Sequence, residues 1–141
     1  MNEPLVQMLK RHEGCHKNNN GRHVLYKSPA NKWSCGYGRN CEDTGFSEDE
    51  VELMLKNDIR YSVDVLKLIF PNFDNFSMNR RNALVNMLFT LGSAKFLLFR
   101  KMIIAIKKDD WEEAAKEMTD IKGHILVGIR ALEVEDLLMQ G

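Results

Sequence analysis

A long helix signal in the middle of the chain constrains the fold more than any other feature. Residues Ser47–Glu50 form a capping box, in which the serine and the glutamate each satisfy a backbone N–H group of the first helical turn. Apolar residues follow at helical spacing, and no helix breaker occurs before Pro71. We predict one helix of about 20 residues, from Glu48 to near Ile69, with a length of about 30 Å. Such a helix is long enough to connect two lobes.

The residues before this helix predict a small lobe that mixes a helix with strands. Apolar residues in Leu5–His12 recur at helical spacing, and Gly14 is a stop signal, so we predict a helix of about ten residues that ends at Glu13. The β-forming segments His23–Lys27 and Lys32–Cys35 flank a turn signature and predict a hairpin.

Two further segments of this lobe have turn or loop character. The polar segment Lys17–Arg22 predicts a loop. Gly36-Tyr37-Gly38, after the hairpin, allows positive φ and a close approach of the backbone to another group.

The residues after the long helix predict an all-helical lobe. The expected helices are Met78–Leu91, Ala94–Lys107, Trp111–Met118 and a last one near Val127–Met139. The fold class is therefore α+β and mostly helical. We predict a single domain over residues 1–141, with lobes at about 1–60 and 61–141.

Composition and charge exclude several classes of protein. The chain has 141 residues, 44% of them hydrophobic, and a net charge of zero, so neither whole-chain disorder nor a global field for a polyanion is expected. No apolar run reaches the length of a membrane span, and the first residues lack the basic region of a secretory signal. We expect a protein made in a cytoplasm, with no stable membrane insertion and no nucleic-acid partner.

Charge is nevertheless segregated along the chain. Seven bases and no acid lie in Asn79–Lys108, and six acids with one base follow in Asp109–Asp120. Ordinary helix faces matched to the helix dipoles explain this pattern. A basic cleft wall that faces a polyanion, such as an anionic glycan or a nucleic acid, explains it as well.

The cysteines predict reduced thiols and no metal site. The chain has three cysteines, Cys15, Cys35 and Cys41. A disulfide framework uses more cysteines and an even number of them, although a Cys35–Cys41 disulfide remains an alternative. Cysteines and histidines are frequent in the first lobe, but no C-x-x-C or H-x-x-x-H pair is present. We predict no metal and no other cofactor.

Glu13 is the candidate catalytic residue. It lies at the end of the first predicted helix, where the negative end of the helix dipole favours the protonated carboxyl. A partly desolvated carboxyl in such a position can serve as a general acid. An ordinary surface glutamate paired with an arginine is the alternative.

Three motifs around Glu13 resemble the phage-type lysozyme (endolysin) family. Leu9–Gly14 is similar to the family's apolar-x-x-x-E-G, Leu25–Lys27 to its Y-x-[DC] segment, and Cys35–Asn40 to its T-I-G-Y-G-[RH]. Further similar segments follow in the same order as in the family and are Gly45–Ser47, Arg80–Phe89, Asp110–Ala115 and Gly128–Ala131.

The resemblance implies a bilobal lysozyme-like fold and hydrolysis of the β-1,4 bond between N-acetylmuramic acid and N-acetylglucosamine in bacterial peptidoglycan. It implies Glu13 as the catalytic acid and Arg130 as the residue that orients its carboxylate. Tyr26, Trp33 and Tyr37 are candidates for sugar contacts, although the last two could equally form a hairpin core. We expect a monomer that is made in the host cytoplasm and acts on the wall after release.

The chain departs from the family pattern at two catalytic positions. Ser28 stands where the family has Asp or Cys, and Ser34 stands where it commonly has Thr. The sequence therefore predicts a water positioned by the Ser28 and Ser34 hydroxyls, or else a weakened or inactive relative that binds peptidoglycan without cutting it. His124–Leu126 replace the Trp and Gln that the family commonly has before its Arg-Ala pair.

Overall fold

The computed structural model describes residues 2–119 and 129–141. Seven α-helices and a three-stranded antiparallel sheet make up this part of the chain, which confirms the mostly helical α+β class. The contacts divide the chain into two compact units, Met1–Glu52 and Leu53–Gly141. The grouping of the chain into one domain stays a prediction. None of the helices within the described ranges has both the length and the apolar character that crossing a bilayer requires.

The first unit begins with helix α1, Glu3–Glu13, whose ends follow from local signals. The Asn2 side chain accepts a hydrogen bond from the Leu5 N–H at 3.3 Å, and a proline occupies the first turn. Gly14 ends the helix with φ 66°, a conformation that glycine adopts without a steric cost. The predicted helix and its end at Glu13 are confirmed.

The sheet of the first unit has the order β1-β2-β3, formed by Tyr26–Lys27, Trp33–Cys35 and Arg39–Asn40. Ser34 in the central strand lies opposite Tyr26 on one side and Asn40 on the other. The predicted strand His23–Lys27 is too long, because His23 instead pairs with Lys17. The third strand was not predicted, since two residues carry no recognisable alternation.

The loop Lys17–Arg22 is confirmed, and its backbone explains the short first strand. The Asn18 side chain accepts hydrogen bonds from the N–H groups of Asn20 and Arg22, at 2.9 and 3.1 Å. The Val24 N–H donates to the His16 carbonyl at 3.0 Å. His23 and Val24 therefore pair with Lys17 and His16, at the start of the loop, and do not extend the hairpin strand.

Helix α2, Glu48–Ile69, is the long helix that the capping box predicts. The Ser47 hydroxyl accepts a hydrogen bond from the Glu50 N–H at 3.3 Å and donates to the Glu50 carboxylate at 3.1 Å. The second unit continues with a 3₁₀ turn at Phe73–Asn75 and with helix α3, Met78–Leu91, which has the predicted bounds.

The predicted single helix Ala94–Lys107 is wrong, because the chain breaks there into α4, Ser93–Phe96, and α5, Arg100–Lys107. Four consecutive apolar residues span the break, more than one helix face can bury. The break buries Phe96 and Phe99 and leaves Leu97 and Leu98 exposed.

Two more helices complete the second unit, and one arginine ties them to α3. Helix α6 is Trp111–Thr119 and helix α7 is Ile129–Gln140, while the predicted start of the last helix at Val127 lies outside the described residues. The Arg80 Nε donates to the Leu138 carbonyl at 3.0 Å, and its guanidinium lies 4.4 Å from the Trp111 ring centre. This unit holds the buried core, which includes Leu66, Phe70, Leu84, Met87 and Leu138.

Candidate active site

Glu13 is the last residue of α1, and its carboxylate lies beside Gly38. A Cβ atom at residue 38 would stand only 3.1 Å from the Glu13 Oε2, and Gly38 has φ 85°. The backbone conformation therefore favours glycine at this position, and a Cβ there would require the Glu13 side chain to shift by a few tenths of an ångström. The side chain of Glu13 is exposed, so the carboxyl is accessible from solvent while the turn borders it on one side.

The turn that carries Gly38 is also held to α1 by an aromatic contact. The Lys10 ammonium lies 5.3 Å from the centre of the Tyr37 ring, within the range of a cation–π interaction. The His23 ring meets the same tyrosine edge-on at 5.4 Å. Lys10 and Glu13 lie one helical turn apart, so two neighbouring side chains of α1 contact consecutive residues of the turn.

Ser28 closes the hairpin turn between β1 and β2. Its Oγ accepts a hydrogen bond from the Lys32 N–H at 3.2 Å, and its own N–H donates to the Lys32 carbonyl at 2.9 Å. Asn31 in the same turn has φ 61°, a left-handed conformation that asparagine tolerates better than most residues. The bond to Lys32 uses a lone pair of the Ser28 oxygen and leaves its hydrogen for another acceptor.

Ser34 also contacts Lys32. Its side chain is buried, and its hydroxyl donates to the Lys32 carbonyl at 3.2 Å. The two serines therefore hold both backbone polar groups of Lys32, which fixes the hairpin turn. The sequence placed Ser28 and Ser34 beside Glu13 as water-positioning residues, and that role stays a prediction.

The three aromatic candidates lie on the first unit with partly exposed rings. Tyr26 stacks on His16 with ring centres 4.0 Å apart. The Lys27 ammonium lies 4.4 Å from the Trp33 ring centre. Trp33 is 45% and Tyr37 43% exposed, so neither belongs to a hairpin core. Their role in stacking on sugars stays a prediction.

Glu42 takes part in the hairpin in a way that the sequence did not indicate. Its carboxylate accepts a hydrogen bond from the Trp33 N–H at 2.9 Å and lies 3.5 Å from the Lys27 ammonium. The backbone bond, together with the lysines, lowers the pKa of this carboxyl. A carboxylate with a lowered pKa is a weak base, so Glu42 is a poor substitute for the acid that is missing at Ser28.

Arg39 links β3 to the start of α2. Its guanidinium donates to the Glu50 carboxylate at 2.5 Å and to the Gly45 carbonyl at 3.1 Å. The hydrogen bond from Arg39 lowers the pKa of Glu50, and the same pair raises the pKa of Arg39. This contact joins residues eleven positions apart, and no local pattern predicts it.

The lowered pKa values of Glu42 and Glu50 predict that acid destabilises the first unit. A carboxyl whose pKa is lower in the folded than in the unfolded state stabilises the fold above the unfolded value, and this contribution is lost as pH falls through the folded value. We expect the melting temperature to fall as pH decreases below about 4.5. Glu42→Gln and Glu50→Gln should each flatten this dependence in a series of thermal melts.

The matched control for that series is Glu52→Gln, which also removes one surface carboxylate but leaves both contacts in place. A melting curve of Glu50→Gln that follows wild type at every pH would contradict the role assigned to the Arg39–Glu50 pair.

Arg130, the residue predicted to orient Glu13, lies on α7 in the second unit. Its Nη1 donates to the Thr90 hydroxyl at 2.8 Å. With Leu55, Val85 and Phe89 it lines a mostly apolar pocket of about 340 Å³. Its contact with Glu13 stays a prediction, and His124–Leu126 lie outside the described residues.

Metal ligands do not cluster in the part of the chain that the structure describes: no three His, Cys, Asp or Glu side chains are grouped so that they could hold an ion.

Comparison with known proteins places these residues in a known family. A family model described as phage lysozyme matches residues 10–131, a range that contains Glu13, Ser28, Ser34 and Arg130. The chain is also similar to Probable T4-type lysozyme 1 of Dictyostelium discoideum, with 40% identity over 53 residues. That match covers 38% of this chain and 29% of the relative. Since the family model spans most of the sequence, the chain belongs to the phage lysozyme family.

Proposed function

We propose that this protein hydrolyses the β-1,4 bond between N-acetylmuramic acid and N-acetylglucosamine in bacterial peptidoglycan, with Glu13 as the general acid. The observation that carries the proposal is the position of the Glu13 carboxylate at the end of α1, in the space that Gly38 leaves open. Membership of the phage lysozyme family supports it, because the matched residues include Glu13 and the whole hairpin.

In the proposed reaction, Glu13 gives its proton to the oxygen of the leaving sugar while the C–O bond breaks. A water held by the Ser28 and Ser34 hydroxyls then attacks the oxocarbenium-like centre and releases its proton to bulk solvent. Arg130 orients the Glu13 carboxylate. The proposal places sugar rings against Tyr26, Trp33 and Tyr37.

The absence of a carboxylate at Ser28 predicts a slow enzyme. A serine hydroxyl can hold the attacking water, but it cannot take up its proton or balance the developing positive charge. Acid–base assistance by a side chain typically contributes about 10²–10⁴-fold to the rate. We expect the rate of hydrolysis by this protein to be about 10²–10⁴-fold lower than that of a relative that has the carboxylate.

The proposal extends to the biological setting. The substrate is the glycan strand of the wall, the working state is a monomer, and no cofactor takes part. The protein is made in the host cytoplasm, reaches the wall after a partner permeabilises the membrane, and lyses the cell.

Release of reducing sugar from purified peptidoglycan tests the proposed reaction directly. Sedimentation of the protein with insoluble wall, measured in parallel, tests binding without turnover. Sugar release that increases with time and with enzyme concentration supports hydrolysis. Binding without any sugar release would contradict it.

A second candidate function is binding of peptidoglycan without turnover. The observation that favours it is the engagement of both serine hydroxyls with the backbone of Lys32, which gives each of them a structural role in the hairpin turn. A wall-binding protein needs that turn and the aromatic side chains, but not a positioned water. The parallel sugar-release and sedimentation assays separate the two functions.

Gly38→Ala should reduce wall clearing by more than its effect on stability explains. An alanine Cβ would stand 3.1 Å from the Glu13 Oε2 and push the carboxylate away. Gly36→Ala is the matched control, because Gly36 also has positive φ, at 59°, but nothing lies within 4 Å of the added Cβ. Both variants should lose about 1–2 kcal/mol of stability from the backbone conformation, and only Gly38→Ala should lose activity in addition. Equal losses of activity in Gly38→Ala and Gly36→Ala would contradict the claim that the space beside Gly38 positions the Glu13 carboxylate.

A further inference from the structure

Cys35 and Cys41 bring two thiols together at the end of the sheet. The Cys41 Sγ lies 3.3 Å from the Cys35 Sγ, within hydrogen-bond range. Both are free cysteines, and both are half-buried. Sulfur atoms at this distance need to approach by only about 1.3 Å to reach the length of a disulfide bond.

The register of the sheet explains why these two side chains meet. Cys35 in β2 lies opposite Arg39, and the N–H of Cys41 donates to the Trp33 carbonyl at 2.8 Å. Cys35 and Cys41 are therefore diagonal neighbours on the same face of an antiparallel pair, a separation that side chains can bridge. Cys15, the third cysteine, lies just beyond the end of α1 and is not part of this pair.

We propose that Cys35 and Cys41 form a redox site, which closes to an intramolecular disulfide when the chain meets an organic disulfide such as oxidised glutathione. The Cys35 thiolate attacks the oxidant, whose S–S bond breaks, so that a mixed disulfide and one free thiol result. Cys41 then loses its proton and attacks the Cys35 sulfur, which displaces the second thiol. Two protein thiols are oxidised, and one organic disulfide is reduced to two thiols that carry the two protons.

Two features of the pair favour this order of attack. The Cys41 Sγ lies within hydrogen-bond range of the Cys35 sulfur at 3.3 Å and of the Arg39 carbonyl at 3.6 Å, so its thiol hydrogen has an acceptor on either side. Burial, followed by the hydrogen bond with Cys35, raises the pKa of Cys41, so Cys41 keeps its proton during the first step. Partial exposure of both residues gives the oxidant access.

The bond would close a short ring around the turn that borders Glu13. Three residues between the two cysteines contact the helices. Tyr37 contacts Lys10, Gly38 borders the Glu13 carboxylate, and Arg39 binds Glu50. Oxidation therefore restrains the segment that connects the sheet to both α1 and α2. A cross-link of this size should raise the melting temperature by about 5 °C through its effect on the unfolded chain.

The test uses the full chain, equilibrated with reduced and oxidised glutathione in varied ratios, then alkylated and mapped by mass spectrometry. We expect wild type to lose two thiols and to yield a Cys35–Cys41 linked peptide, with a higher melting temperature. Cys15→Ser, the matched control, should form the same link. Cys35→Ser and Cys41→Ser should not form it, and their melting temperatures should not rise on oxidation.

Two results would overturn the proposal: all three thiols staying reduced in excess oxidised glutathione, or a link that includes Cys15 in place of the Cys35–Cys41 link. None of these measurements uses peptidoglycan or enzyme activity. Failure of the redox site and failure of the proposed hydrolysis are thus distinguishable.

Discussion

Replacing Glu13 with glutamine is expected to abolish clearing of cell-wall suspensions, with a rate loss of at least about 10²-fold and up to about 10⁴-fold. Glutamine has the shape of glutamate and can occupy the same space beside Gly38, but it has no acidic proton to give to the glycosidic oxygen. The melting temperature should therefore stay close to that of wild type. Turbidity clearing and reducing-sugar release are the measurements.

The matched control for this variant is Glu3→Gln. Glu3 lies at the opposite end of the same helix, where its carboxylate accepts a hydrogen bond from Gln7 at 2.7 Å. This substitution makes the same chemical change and should leave clearing intact. If Glu13→Gln cleared walls at the wild-type rate, Glu13 would have no part in the mechanism.

Replacing Ser28 with aspartate is expected to raise the rate of hydrolysis, by about tenfold or more if it recovers part of the missing acid–base assistance. The hairpin turn should tolerate the change, because an aspartate oxygen can accept the Lys32 N–H as the Ser28 Oγ does, and aspartate is favoured at the first position of such turns. Initial rates of sugar release from purified peptidoglycan measure the gain.

Ser28→Asn separates charge from hydrogen bonding in this experiment. An asparagine oxygen can also accept the Lys32 N–H, but the side chain is neutral and cannot take up a proton. A gain with aspartate and none with asparagine supports a missing charge. No gain with either, in variants that melt like wild type, would contradict the explanation of slow turnover by Ser28.

The helix ends of the first half of the chain could be predicted because short segments determine them. Asn2 and Ser47 cap α1 and α2 through bonds to residues three positions away, and Gly14 stops α1 by its own backbone conformation. Local signals of this kind do not depend on the rest of the fold.

The strand lengths and the break between α4 and α5 could not be predicted, because distant contacts decide them. His23 pairs with Lys17 in preference to extending β1, and the chain breaks after Phe96 so that Phe99 is buried as well. Propensity alone favours the longer strand and the unbroken helix, and packing overrides both.

The candidate site likewise has features that local sequence predicts and features that depend on distant contacts. Glu13 was identified from its place at a helix end and from the family motif around it. Its contact with Gly38 and the link between Arg39 and Glu50 depend on side chains that the fold brings together across many residues. In the sequence, only Gly36 and Gly38 indicated that the backbone of this turn approaches another group closely.

Glu50 has a consequence for protein engineering, because it serves two structures at once. Its carboxylate takes part in the cap of α2 and also receives the guanidinium of Arg39 from the sheet. A designer who transplants the sheet into another scaffold, or opens the chain at a new terminus, must therefore retain the first turn of α2. A chain cut just after β3 would separate Arg39 from the Glu50 carboxylate, and the transplanted sheet would lose this contact at the edge formed by β3.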